Sequence, residues 1–299
     1  MSADVMNKAP ETEPRLAGRG KPWRERFFEL SLWASLAVGV VVLVALLAYV
    51  VVEGWPRLDP RIWMNFPDII DPTNAGAQSA IMGTLWVIFF TAVYCLPTGI
   101  LTAIYLEEYA DPARWWNRLI EINIQNLAAV PSIVYGILGL GIISRGLGFG
   151  QTVLTASLTL SLLVLPTVII AARESIRAVP QSIRQASMAL GATQWQTIWR
   201  QVLPAAVPGM ATGSILALSR AIGEAAPLLL LGGLTFITFN PTGVQSQFTV
   251  LPIQIFNWIS QSRAEFTALA AAAIVILLVI LLAMNSLAIW LRNHYARRW

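Results

Sequence analysis

The chain has 299 residues, 56% of them hydrophobic and only 12% charged, with a mean hydropathy of +0.64. Those values lie outside the range of soluble globular domains and point to an integral membrane protein. The net charge of +4 does not mark a nucleic-acid binder, because the basic residues gather at the ends of apolar runs; the single cysteine, Cys95, excludes an intramolecular disulfide.

Taken in chain order, residues 1 to 26 are predicted to form a cytoplasmic N-terminal tail. Its first 22 residues are polar and rich in Pro, Gly and charge, with little apolar surface to bury. The rest, 27 to 299, reads as one transmembrane domain. Six stretches are long and apolar enough to cross a hydrocarbon core: approximately Leu30 to Val52, Ile81 to Leu106, Leu127 to Ile143, Val153 to Ala172, Val207 to Gly233 and Phe266 to Trp290. None shows the period-two alternation of a barrel strand, so the expected fold class is an all-α polytopic bundle of six transmembrane helices. The first run is too long for a signal peptide and is expected to remain as a span.

Orientation follows from Lys and Arg. With the N-terminus inside, the inner segments hold fifteen of them and the outer loops only Arg57, Arg61, Arg145 and Arg263. Both termini are therefore predicted to be cytoplasmic. The outer loops, about 53 to 80 and 234 to 265, carry Trp55, Trp63 and Trp258 beside prolines, as interfacial anchors do.

In the third span, Asn126 and "VPSIVYG" at 130 to 136 offer Pro131 as a helix breaker, with Ser132 and Tyr135 as hydrogen-bond donors. A kink there lets freed backbone line a cavity, or serves packing alone. The glycines of "GILGLGIISRGLGFG", 136 to 150, do not have the spacing of a nucleotide fingerprint and read as close packing and a turn.

The inner loop, about 178 to 206, is predicted to hold two short amphipathic helices. Pro180 favours the start of the first, Ile183, Ala186, Met188 and Leu190 supply its apolar contacts, and Gly191 is placed to end it in a left-handed conformation. Trp195, Ile198, Trp199 and Val202 recur at helical spacing in the second, which Leu203-Pro204 is expected to break. Such a loop either lies against the headgroups or docks on a partner.

In the fifth span Arg220 and Glu224 stand one turn apart in an apolar run. With thirteen residues on each side, Arg220 is too deep to snorkel and needs a polar cavity or a partner charge. Two readings stay open: an ion pair that orients two helices, or an anion path in which Glu224 steadies the guanidinium. The only histidine, His294, lies at the C-terminal end, no metal-ligand spacing occurs, and no phosphate loop of the G-x-x-x-x-G-K-[ST] type is present. Catalysis by this chain is not expected, and any ATP must be used elsewhere.

"QASMALG" at 185 to 191, followed by Leu203-Pro204, resembles the cytoplasmic loop motif of ABC-importer permeases, with Gln185 at the usual glutamate and Ser187 at the second alanine. "AIYLEEYA" at 103 to 110, "NLAAVPSIVYGILGLG" at 126 to 141 and "SRAIGEAAPLLLLGG" at 219 to 233 narrow the likeness to membrane subunits of the phosphate-specific ABC importer, most closely the PstA type. The resemblance implies an ABC-importer permease fold in a bacterial inner membrane. It implies a second, homologous permease subunit, a pair of ATP-binding subunits and an extracytoplasmic phosphate-binding protein as partners, with phosphate as cargo. No cofactor is expected on this chain. The resemblance assigns ATPase coupling to Gln185, Ala186, Ser187, Leu190, Gly191, Leu203 and Pro204, and the residues already named place Arg220, Glu224, Ser132 and Asn126 on the substrate pathway. Alternatives are a permease for another oxyanion, a membrane-integral phosphotransferase using Arg220 and Glu224, and a self-sufficient secondary transporter, which would ordinarily need about twice the spans.

Overall fold

The computed structural model describes residues 23–111, 113–233 and 236–295, so most of the predicted N-terminal tail, 1–22, lies outside the described residues. Among these the chain is helical, with no strand and one isolated bridge between Thr152 and Gln247. Two units are distinguished, residues 1–49 and 50–299. The first contains most of α1 (Trp23–Gly54), whose residues 23–49 are all exposed. A helix that is apolar on every side needs lipid or another protein around it.

The second unit is built on α3 (Gln78–Ile104) and α6 (Val153–Arg177). The Ser157 hydroxyl donates to the Val87 carbonyl at 3.1 Å and that of Ser161 to the Thr91 carbonyl at 3.2 Å. Gly99 lets the two backbones approach, since a Cβ there would stand 2.7 Å from Val168 Cγ1. Partners rise together along both helices, so α3 and α6 run parallel and one crossing between them must return the chain.

That crossing is broken. It consists of α4 (Trp115–Ala129), then α5 (Ser132–Leu138) continued by a π-helical stretch, Gly139–Gly146, and the two halves meet at 107°. Pro131 is the cause: it pushes Val130 into an extended conformation, φ −69° and ψ 131°. The Tyr135 hydroxyl donates to the Leu127 carbonyl at 2.8 Å, beside the Val130 N–H at 3.2 Å, and so stands in for the N–H that Pro131 lacks. The kink offered by Pro131 is present, and the crossing expected at Leu127 to Ile143 is a bent pair that begins at Trp115. Among the described residues five further helices are long and apolar enough to cross a membrane, and the bent pair taken as one span makes six.

The fifth crossing also departs from expectation. α8 (Gln194–Thr197) passes through a π turn, Ile198–Val202, straight into α9 (Leu203–Gly223), so Leu203-Pro204 does not break the run. The π turn takes up the misfit of a proline that lacks an N–H. At the other end the helix stops at Gly223 instead of continuing to Gly233. Glu224 leaves the helix at ψ 98°, and a new helix, α10 (Ala226–Leu230), begins with Pro227 in its first turn. A proline ring at 227 clashes with the carbonyl of Gly223 if the helix continues, and it is well suited to starting another. Gly136 of α5 packs against α10 so closely that a Cβ would stand 2.7 Å from Pro227 Cα. The two broken crossings are therefore neighbours.

At one end of the bundle, α2 (Pro60–Met64), α11 (Leu251–Ile259) and the start of α12 (Ala264–Tyr295) share a core that includes Ile62, Leu251, Trp258, Phe266 and Leu269. Trp258 is 3% exposed and is a core residue, in contrast to the interfacial role expected from its loop position; Trp55 and Trp63 are exposed. At the opposite end α7 (Gln181–Ala189) packs beside the π turn of α8 and α9.

Candidate functional site

Arg220 occupies the last turn of α9, where a cation is favoured by the helix dipole. Its depth follows from helix register. Gly209 faces Ser175 and Gly213 faces Ala171, so α9 runs antiparallel to α6. Continued, that register sets Arg220 level with Val164, eleven residues from Val153 and thirteen from Arg177. At 1.5 Å per residue this is about 16 and 20 Å from the two ends of α6. The mid-span position expected from the sequence is retained, although the helix around it is interrupted.

The guanidinium Nε donates to Glu224 Oε1 at 3.2 Å. Among the described residues its two terminal nitrogens have no hydrogen-bond acceptor. The Arg220 side chain is 56% exposed and that of Glu224 18%. The pair lies within one segment, from the last turn of α9 to the residue that ends it, and so does not tie two helices together. Glu224 engages only Nε, which leaves the two terminal nitrogens as donors of the kind that bind oxyanions.

Ser132 sits half-buried in the first turn of α5, and Asn126 is exposed on α4. No hydrogen bond joins either to Arg220 or Glu224 among the described residues. The structure brings the two helix breaks together but does not gather these four side chains at one point.

The loop at 178–206 is a second candidate site. Gly191 ends α7 with φ +86°, the left-handed conformation that favours glycine, and its α face is open. Gln185 and Ala186 are exposed and Leu190 is 90% exposed, while Ser187 turns inward and its hydroxyl pairs with that of Thr197 at 2.9 Å. Leu203 is buried with Ile176, Val179 and Ile198, and Pro204 beside it is half-buried. Thr193 caps α8 with a reciprocal bond pattern to Gln196. Between α7 and the α8 turn lies a groove of about 500 Å³ lined by Ile183, Ala186, Ser187, Leu190 and Arg200. With Met188, Trp195 and Trp199 also exposed, this end carries apolar side chains on its surface.

The sequence reading missed an ionic network at the same end. Glu107 receives Arg173 and Arg177, each at 2.7 Å, and Arg173 also donates to Glu121 at 2.7 Å. Glu108 pairs with Arg184 at 2.8 Å. The arginines entered only as topology charges and Glu107 and Glu108 only as part of "LEEY", while Glu121 did not enter at all. Two arginines four apart opposite an acidic helix end was the available signal.

The profile of the family described as "Binding-protein-dependent transport system inner membrane component" matches residues 96–299. The chain belongs to that family. As a permease it is 33% identical over 252 residues to Phosphate transport system permease protein PstA 1 of Mycobacterium tuberculosis (strain CDC 1551 / Oshkosh), which covers 83% of this chain and 82% of that one. It is 30% identical over 306 residues to Phosphate transport system permease protein PstA of Yersinia pestis, covering 96% and 97%. In fold the permease superposes on a chain of the bacterial alginate ABC transporter crystallised with a periplasmic protein bound to an alginate pentasaccharide. The TM-score is 0.62 at 17% identity, over 93% of this chain and 98% of that one. The fold class read from the sequence, a polytopic helical ABC-importer permease, is borne out.

Proposed function

We propose that this chain is one of two permease subunits enclosing the path of inorganic phosphate in an ATP-driven importer, with Arg220 as an anion contact on that path. The observation that carries this reading is the guanidinium at mid-span, held through Nε by Glu224 with its terminal nitrogens unengaged. The PstA relatives supply the choice of phosphate over other oxyanions. A transported ion must enter favourably and leave again; Glu224 keeps the cation from becoming a trap. Asn126 and Ser132 belong to the same path as polar groups near the second helix break.

Energy comes from outside the chain. In this reading the exposed face of α7 docks on a cytoplasmic ATP-binding subunit, and closure of the ATPase pair on ATP pushes α7 so that the spans open outward. Hydrolysis resets them. ATP drives the change only through its different affinity for the two conformations. The outward conformation receives phosphate from an extracytoplasmic binding protein.

Two measurements test the proposal. In the purified complex, ATPase activity is expected to rise with phosphate-loaded binding protein and to stay basal with sulfate or molybdate; a rise with another oxyanion alone overturns the choice of cargo. With both termini and the 178–206 loop cytoplasmic, a single cysteine at Gln181 in a Cys95→Ala background is expected to resist an impermeant thiol reagent added to intact cells. Labelling from outside overturns the orientation.

A further inference from the structure

Docking on α7 explains where an ATPase holds the permease but not how a push on a short surface helix reaches the spans. We propose that Glu108 and Arg184 form the joint that fixes the docking loop to the α3–α6 pair, and that this joint carries the load of transport. The inference rests on the reading of α7 as the docking helix.

Arg184 is the buried residue of α7, and its guanidinium has acceptors on two other elements. Nε and one terminal nitrogen donate to Glu108 Oε1 at 3.2 and 2.8 Å. The same terminal nitrogen donates to the Ile176 carbonyl at 2.9 Å, and the other donates to the Val179 carbonyl at 2.6 Å. One side chain thus grips the end of α3 and caps the end of α6. From α8, the Gln194 side-chain amide donates to the Glu108 main-chain carbonyl at 2.6 Å. Glu108 therefore holds both helices of the loop.

Burial sharpens the point. The side chains of Arg184 and Glu108 are 11% and 8% exposed. A buried ion pair is a poor source of stability, because desolvation offsets most of the attraction, and its best-attested use is to hold one arrangement against others. The π turn at Tyr105–Tyr109 makes the arrangement possible. It lets the consecutive residues Glu107 and Glu108 face different arginines: Arg173 and Arg177 of α6 for the first, Arg184 of α7 for the second. Beyond the joint, α3 and α6 are locked by the Ser157 and Ser161 bonds and by the contact at Gly99. If the Glu108 carboxylate is lost, α7 and α8 stay joined through Ser187 and Thr197. The docking face then survives while its charged link to α3 does not.

The test uses the complete importer in vesicles, with Gln181→Cys bearing a photo-crosslinker in a Cys95→Ala background and the other subunits free of cysteine. Its readouts are the crosslink to the ATPase and the phosphate moved per ATP hydrolysed. Glu108→Gln, which leaves the main-chain carbonyl for Gln194, is expected to keep the crosslink and lower phosphate per ATP about fivefold or more, the scale of typical coupling between sites. Arg184→Lys is expected to do the same, since the charge remains but the fork is gone. Glu121→Gln, which removes a half-exposed ion pair on α4 that does not touch α7 or α8, is expected to leave the ratio unchanged. An unchanged ratio in Glu108→Gln, with the crosslink kept, overturns the joint. Should Glu108→Gln not assemble, Arg184→Lys decides: a lowered ratio with the crosslink kept supports the joint and an unchanged ratio overturns it. Absence of the crosslink in the parent protein removes the docking reading itself, and the joint with it, a result distinct from a coupling defect.

Discussion

Arg220→Gln is expected to assemble at normal yield and to lower phosphate uptake about tenfold to a hundredfold, because hydrogen bonds between charged partners contribute roughly 1.5 to 3 kcal/mol. Assembly is expected to survive because among the described residues the arginine bonds only Glu224, one turn along its own segment, and its side chain is more than half exposed. Arg220→Lys keeps the charge and loses the planar fork, so it is expected to fall between wild type and the glutamine variant. Glu224→Gln is expected to slow release by leaving the cation uncompensated. Uptake and complex yield measured together separate the readings. Normal uptake in Arg220→Gln removes the residue from the path, whereas uptake that falls only in step with yield makes the pair structural.

Ala186→Asp is expected to abolish ATP-driven uptake while the spans insert normally. Ala186 is exposed on α7 beside the strongly exposed Leu190, so a carboxylate there is free to hydrate in the isolated chain and is desolvated only when a partner covers it. An unpaired charge at the centre of a docking face costs roughly 2 kcal/mol or more, about thirtyfold in affinity. Co-purification of the ATP-binding subunit checks this directly. Uptake at the normal rate by an assembled Ala186→Asp complex sinks the assignment of α7 as the docking helix.

Much of the inner loop was legible because its signals are local. Pro180 and Gly191 act on their own φ angles, and the structure starts α7 after the first and ends it at the second with φ +86°. The ion pairs of Glu107 and Glu108 were not legible, since each joins residues 66 to 76 positions apart. Charge counting places such residues at one membrane face but does not pair them. Ser132 and Asn126 show the same limit: their polarity within an apolar stretch flags them, and only packing decides what they meet.

The sequence by itself determined that the protein is a helical membrane bundle with Arg220 at the middle of a crossing, because twenty-residue apolar runs in lipid leave the backbone no alternative to helix. It also contained the prolines that interrupt two of those runs. Hydropathy averages over a window and reads through a break, so the bend at Pro131 and the end of α9 at Gly223 were decided only in the tertiary structure. There Tyr135 meets a freed carbonyl and Gly136 admits Pro227, contacts that let two broken helices lie side by side within the bundle. A helix break is tolerable at that depth only when neighbouring elements satisfy and pack its backbone, and which elements are neighbours is a property of the fold.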